Sequence, residues 1–221
     1  MVVVNTTNPG EPHTRLLDAL AATNSSTRLR AALSAGTLGN PGLAQALLAR
    51  CAVEPDFFVR DMLTWALCRL PPEITVPRLL EELFSTTPQA RSQALHTLSK
   101  IGDRTAWPAV SALLHDAHDE VALSAWRAAV VLVPSGAEGE LAANLVKALG
   151  RGDHDMQCSM SRALATLGPD ASPALDAAGA SRDPRVRAHA AATERLLDDP
   201  ESGFTLSVEA AKRVAVTGTE M

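Results

Sequence analysis

The sequence predicts an all-α protein, an α-solenoid of about six helical hairpins, on three observations. An aliphatic residue followed by Gly, Pro or Asp marks the chain at Leu38, Leu70, Ile101, Val133, Leu167 and Leu197, at intervals of 32, 31, 32, 34 and 30 residues. Self-similarity at a near-fixed period of this size is the signature of a repeat array. Fourteen residues before each mark stands a helix-capping residue type: Asn24, Asp56, Thr87, Asp119, Asp153 and Asp183. Hydrophobic residues make up 46% of the chain but aromatics only 3%, with no Tyr. Ala and Leu must therefore fill the core, which favours helices over sheets.

The second helix of each unit follows from its caps and its stripe. A short side-chain oxygen at the first cap accepts from the orphan N–H groups of the opening turn, and the Gly or Pro of each mark stops the helix. Seven residues before the marks are Ala31, Leu63, Ala94, Trp126, Met160 and Ala190, and eleven before are Thr27, Val59, Ala90, Ala122, Met156 and Val186. Offsets of 11, 7, 4 and 0 fall on one helical face, so this stripe points inward. A first helix precedes each second helix. Its apolar positions include Leu16, Leu17 and Leu20; Leu43 and Leu47; Val76, Leu79, Leu80 and Leu83; Val110, Leu113 and Leu114; and Leu141, Leu145 and Leu149. Pro77, Pro108 and Pro173 are placed near the first turn, where a missing N–H costs nothing. One hairpin cannot bury its apolar face alone, whereas a stack can.

The segments Asp56-Phe-Phe-Val-Arg60 and Asp183-Pro-Arg-Val-Arg187, each with a Leu ending downstream, resemble the HEAT-like repeat family, in its short bacterial form named after the phycobilin lyases. The resemblance covers about residues 14–200 and implies a right-handed solenoid of six HEAT-like hairpins whose second helices line the concave side. The fourth unit (Ala122-Leu123) and the fifth (Met156-Gln157) depart from the Val-Arg pair. Outside the array, residues 1–13 read as a flexible tail. Residues 201–221 read as a capping helix or tail, since Leu206–Ala215 has helical patterning.

Charge and composition narrow the function classes. Lys and Arg number 20 against 25 Asp and Glu, a net charge of −5, which disfavours nucleic acid and anionic membrane as partners. The longest apolar run, Ala128–Val133, is far below the roughly 20 residues of a membrane span. The opening MVVVNTTNPGEPH lacks a basic region and a long apolar stretch, so no signal peptide is expected there. Cys51, Cys68 and Cys158 are odd in number and widely spaced, which fits neither a disulfide framework nor a zinc motif and suits a reducing cytoplasm. The preponderance of Arg over Lys points to a GC-rich bacterial genome.

No nucleophile elbow, zinc-protease motif, P-loop or dinucleotide fingerprint occurs. No catalytic residue, metal or cofactor is therefore assigned. Cys68, His96 and Cys158 come from three different repeats, too far apart for one metal ion. The remaining histidines, His189 among them, are expected mainly at turns and on the surface. The column Arg28, Arg60, Arg91 and Arg187 reads either as a phosphate ladder or, preferably, as i,i+4 pairs to the preceding cap residues. On the face opposite the stripe, the candidate partner-binding residues are Asp61, Thr64, Trp65, His96, Arg127 and Arg162. A flat aromatic and Arg anchors among small hydroxyls suit a protein or peptide. Trp65 has a second reading, as a wedge between adjacent helices. The expected function is a non-catalytic scaffold or adaptor that binds a protein on the concave face. The alternatives, from fold resemblance, are an alkylpurine DNA glycosylase or another HEAT-like enzyme such as a bilin lyase.

Overall fold

The structure is a computed structural model that describes residues 10–199. Those residues form twelve α-helices joined by short connections: α1 (Gly10–Leu20), α2 (Ser25–Leu38), α3 (Ala44–Cys51), α4 (Phe57–Cys68), α5 (Pro72–Glu82), α6 (Pro88–Ile101), α7 (Trp107–Ser111), α8 (Asp119–Leu132), α9 (Glu138–Leu145), α10 (His154–Thr166), α11 (Ser172–Gly179) and α12 (Pro184–Asp198). Successive pairs are the six expected hairpins, and the fold is all-α. Three of the first helices open through a turn of 3-10 helix, at Pro41–Leu43, Arg104–Ala106 and Gly168–Ala171. The C-terminal segment 201–221 lies outside the described residues. At the other end α1 begins at Gly10, inside the stretch assigned to a tail.

The described chain divides into two compact units at Ala128/Ala129, within α8. In the first unit α2, α4 and α6 pack side by side, with α1, α3 and α5 beside one another, the stacking of an α-solenoid. In the second unit α10 packs on α12, and α11 on α12 and α9.

The capping chemistry is legible residue by residue. Asn24 accepts from Thr27 N, Asp56 from Phe58 N and Val59 N, Asp153 from Met156 N and Asp183 from Arg185 N. Thr87 caps α6 by position only. Gly39 and Gly102 end α2 and α6 with φ of 61° and 77°, a left-handed conformation that side chains disfavour. The fourth unit departs from expectation. Asp119 is the first helical residue of α8, and the backbone carbonyl of His118 accepts from Val121 N and Ala122 N, so the cap position is His118.

The inward stripe is buried as its spacing requires: Ala31, Leu63, Ala94, Trp126, Met160 and Ala190 are all 4% exposed or less. Leu38, the first mark, is an exception and stands exposed at the end of α2. Pro77 departs too. It sits inside α5, whose first residue is Pro72, and not in the first turn.

Candidate functional site

Counting from the observed caps brings the candidate residues into register. Leu33, Trp65, His96, Arg127 and Arg162 each lie nine residues after the cap position of their helix, at Asn24, Asp56, Thr87, His118 and Asp153. They thus hold one place on α2, α4, α6, α8 and α10. Leu33, Trp65, Arg127 and Arg162 are exposed and His96 is half-buried. Arg162 belongs to the second unit and is described with it.

Within the first unit this column runs from apolar to cationic. Trp65 keeps 40% of its surface accessible while its ring is seated against α2. A Cβ on Gly36 would fall 2.3 Å from Trp65 Cζ3, so glycine is what allows the indole to lie on the neighbouring helix. Both readings of Trp65 therefore hold: it wedges between helices and still offers an apolar face. His96 lies among charges. Burial lowers its pKa first, Lys100 and Arg127 lower it further, and Asp61 opposes them. The imidazole is thus biased to the neutral form by its own surroundings. Asp61 and Arg127 act electrostatically on the same imidazole from α4 and α8.

Thr64 does not join this face. It is 3% exposed, with its hydroxyl oxygen unpaired, because one residue back from Trp65 turns the side chain about 100° toward the neighbouring helix. Leu95 and Ser161, likewise one residue before His96 and Arg162, are buried for the same reason.

The arginine column behaves differently from the expected cap pairs. Arg60 Nη1 donates to the carbonyls of Glu54 and Pro55, Arg187 Nη1 to Ser181 and Arg182, Arg28 Nη1 to Ala22 and Thr23, and Arg91 Nη1 to Ser85. Arg28, Arg60 and Arg187 satisfy the loop carbonyls five and six residues back and Arg91 the one six back; at Asp56 and Asp183 the cap carboxylate is already taken by backbone N–H groups. Gln157 does the same with one bond to Gly152. These groups are clasps for the loops within hairpins, and a phosphate ladder would need the guanidinium groups turned outward.

Two further clusters were not anticipated. Glu54, fully buried, accepts from Arg28 Nε and Nη2, from Arg50 Nε and from Asp56 N. Burial alone would push its carboxyl up, but the bonds from Arg28, Asp56 and Arg50 outweigh it and lower the pKa to about 2. His189 is buried, contrary to its assignment to a turn or the surface. Its Nδ1 accepts from Gly150 N at 3.0 Å, so Nε2 carries the proton toward Gln157 O at 3.0 Å and Ser161 Oγ at 3.1 Å. With both nitrogens engaged, this histidine and Ser161 are structural partners. Only the chain's non-local packing reveals either cluster.

Burial raises the Cys51 thiol to about 12 and that of Cys68 in the same direction. Cys158 Sγ lies 3.5 Å from His154 Nε2. Among the described residues no group of three His, Cys, Asp or Glu is placed to hold a metal ion, and no helix is long and apolar enough to cross a membrane.

The fold defines an all-α helical-repeat protein. No protein-family model matches the chain, and no curated protein matches it. Solved structures similar to it include an engineered protein from the Northeast Structural Genomics Consortium, 18% identical, with a TM-score of 0.47 over 83% of this chain and 97% of that one. A second engineered protein is 24% identical, with a TM-score of 0.44 over 86% and 96%. The complex of CpcE and CpcF of phycocyanin lyase from Nostoc sp. PCC7120 is similar at 21% identity, with a TM-score of 0.48 over 84% and 77%.

Proposed function

We propose that the protein is a non-catalytic binding module whose second-helix face holds a protein or peptide partner. The observation that carries this reading is the shared register of Leu33, Trp65, His96 and Arg127, which lays a rigid aromatic and an aliphatic beside a cationic end with Asp61 and Lys100. Binding energy concentrates in a few aromatic and Arg anchors, and a pre-seated indole loses little freedom on binding. The partner best matched is a segment with one bulky apolar side chain followed by an acidic one. Arg162, at the same register position of α10, is proposed as a contact residue of the second unit taken by itself, and cytoplasmic residence is likewise proposed.

The test is selection from a displayed peptide library on the full chain, followed by titration of enriched peptides against wild type and the Trp65→Ala/Arg127→Ala variant. Enriched apolar–acidic peptides should lose about 2 kcal/mol or more of affinity on the double variant. Duplex DNA carrying an alkylated base is the control. Steeply salt-dependent DNA binding with base release would overturn the reading in favour of a glycosylase.

A further inference from the structure

The chain has four Phe and no Tyr, so each aromatic ring is a scarce resource for its core. The three Phe within the described residues are nevertheless on the outside: Phe57 is 65% exposed, Phe58 71% and Phe84 84%. Phe57 and Phe58 open α4 and meet edge to face, with ring centroids 5.6 Å apart and an interplanar angle of 78°. Phe84 stands in the α5–α6 connection, three residues before its cap Thr87. Val53, 63% exposed, holds the same place before Asp56 in the α3–α4 connection. The two connections are tied together, because Gln89 Nε2, in the first turn of α6, donates to Cys51 O at 2.9 Å and Glu54 O at 2.8 Å. Two consecutive, tied hairpin tips thus present exposed apolar side chains, Val53, Phe57 and Phe58 on one and Phe84 on the next.

We propose that together they form a self-association surface, on which a second copy of the chain docks its own hairpin tips about a two-fold axis. Area is the first argument. A Phe side chain offers roughly 150–250 Å², so three rings and a valine at these exposures supply about 500 Å² of apolar surface. A standard interface takes about 800 Å² per partner, some 56–65% of it non-polar. The patch meets that apolar share with room left for a polar rim. Charge is the second argument. In a two-fold interface each surface meets itself, so an uncompensated charge would face its like. Here the charges immediately beside the Phe57–Phe58 pair are engaged with the chain itself, while Asp61 and Glu81 stand exposed at the border. The Arg60 guanidinium lies 6.0 Å from the Phe57 ring centroid while donating to Glu54 O and Pro55 O, and the Asp56 carboxylate accepts from Phe58 N and Val59 N. An aromatic surface whose adjacent guanidinium and carboxylate are engaged with backbone groups of its own chain suits an apolar partner surface such as its own copy better than a charged one.

Sedimentation equilibrium of the full chain, from micromolar to several hundred micromolar, tests this. The mass should rise with concentration from 23.2 kDa toward twice that value. Phe58→Asp/Phe84→Asp should weaken the association about tenfold or more while helicity and the thermal midpoint stay at wild-type values, because both side chains are exposed. If the Asp variant loses helicity, Phe84→Ser alone should still weaken association. A wild-type monomer throughout the range would overturn the proposal, as would a dimer indifferent to these variants. Loss of the dimer on Trp65→Ala, with the Phe variants unaffected, would move self-association to the second-helix face and equally overturn it. None of these outcomes depends on the peptide titration.

Discussion

Arg28 and Glu54, on consecutive hairpins, form a two-bond fork in which both N···O distances are 2.7 Å and the carboxylate is fully buried. The same guanidinium holds the carbonyls of Ala22 and Thr23, so one side chain closes its own loop and locks it to the next. Arg91 repeats the arrangement two hairpins further on, reaching Ser85 O within its unit and Asp116 Oδ1 in the following connection. Removing one partner of such a pair strands the other charge in a dry site. Arg28→Ala should therefore destabilise the fold, although Arg50 Nε and Asp56 N still hold the carboxylate. A lower urea midpoint at constant slope is the expected result, and a loss below about 0.5 kcal/mol would mean that the fork is ornamental.

The pH dependence has two windows with the same sign. Glu54 has a folded-state pKa of about 2 against an ordinary value of 4.5, so the unfolded chain binds the proton more readily. Its contribution is present above about pH 5 and is lost as the pH falls toward 2. His189 is buried neutral, and burial lowers its pKa below the ordinary 6.5, although the Gln157 carbonyl opposes this. Unfolding takes up a proton there too, so stability falls as the pH drops below about 6.5. His96, also held below its ordinary value, acts in the same upper window, so His189→Gln should shrink that window without abolishing it and leave the lower one. Thermal midpoints of both proteins between pH 8 and pH 3 check this, and identical upper steps in the two would show that His189 has no part.

Gly36→Ala sets two effects against each other. Alanine gains up to about 1 kcal/mol of helix propensity over glycine. The new Cβ, however, would stand 2.3 Å from Trp65 Cζ3 and 2.9 Å from Ala66 Cα, and the latter is backbone. Overpacking of this kind costs about 1–3 kcal/mol, so net destabilisation is expected. Trp65→Ala in the same chain should recover part of the loss. A double-mutant cycle by chemical denaturation measures that coupling, and strict additivity would show that the two residues do not touch.

The two tryptophans at adjacent register positions should differ in stability cost. Trp126 is fully buried, and its Nε1 donates to Leu114 O at 2.8 Å, whereas Trp65 is 40% exposed. Trp126→Ala leaves both a cavity and an unpaired carbonyl, and about 3–5 kcal/mol is expected. Trp65→Ala should cost clearly less, since only the part of the ring against α2 is lost. Equal midpoints in guanidinium chloride would contradict the orientation of α4 relative to α8.

The amino-acid sequence by itself determined the period, the inward stripe and five of the six cap positions, Asn24, Asp56, Thr87, Asp153 and Asp183. These depend on interactions within a turn or two of helix, and a spacing of 3.6 residues is written directly in the order of side chains. The tertiary structure decided what each outward residue does. It moved the fourth cap to His118, which aligned Arg127 with Trp65 and His96. It buried Thr64, turned the arginines onto loop carbonyls, and made a key of Glu54, which had no local pattern to mark it. The arginine clasps and the His118 cap are local, but the direction a side chain takes is not written in its spacing; the Glu54 key depends on Arg28, 26 residues away, whose approach follows from how one hairpin leans on the next. Phe57, Phe58 and Phe84 show the same division. Their apolarity can be read at once, but only the placement of the hairpin tips shows that nothing in the described fold covers them.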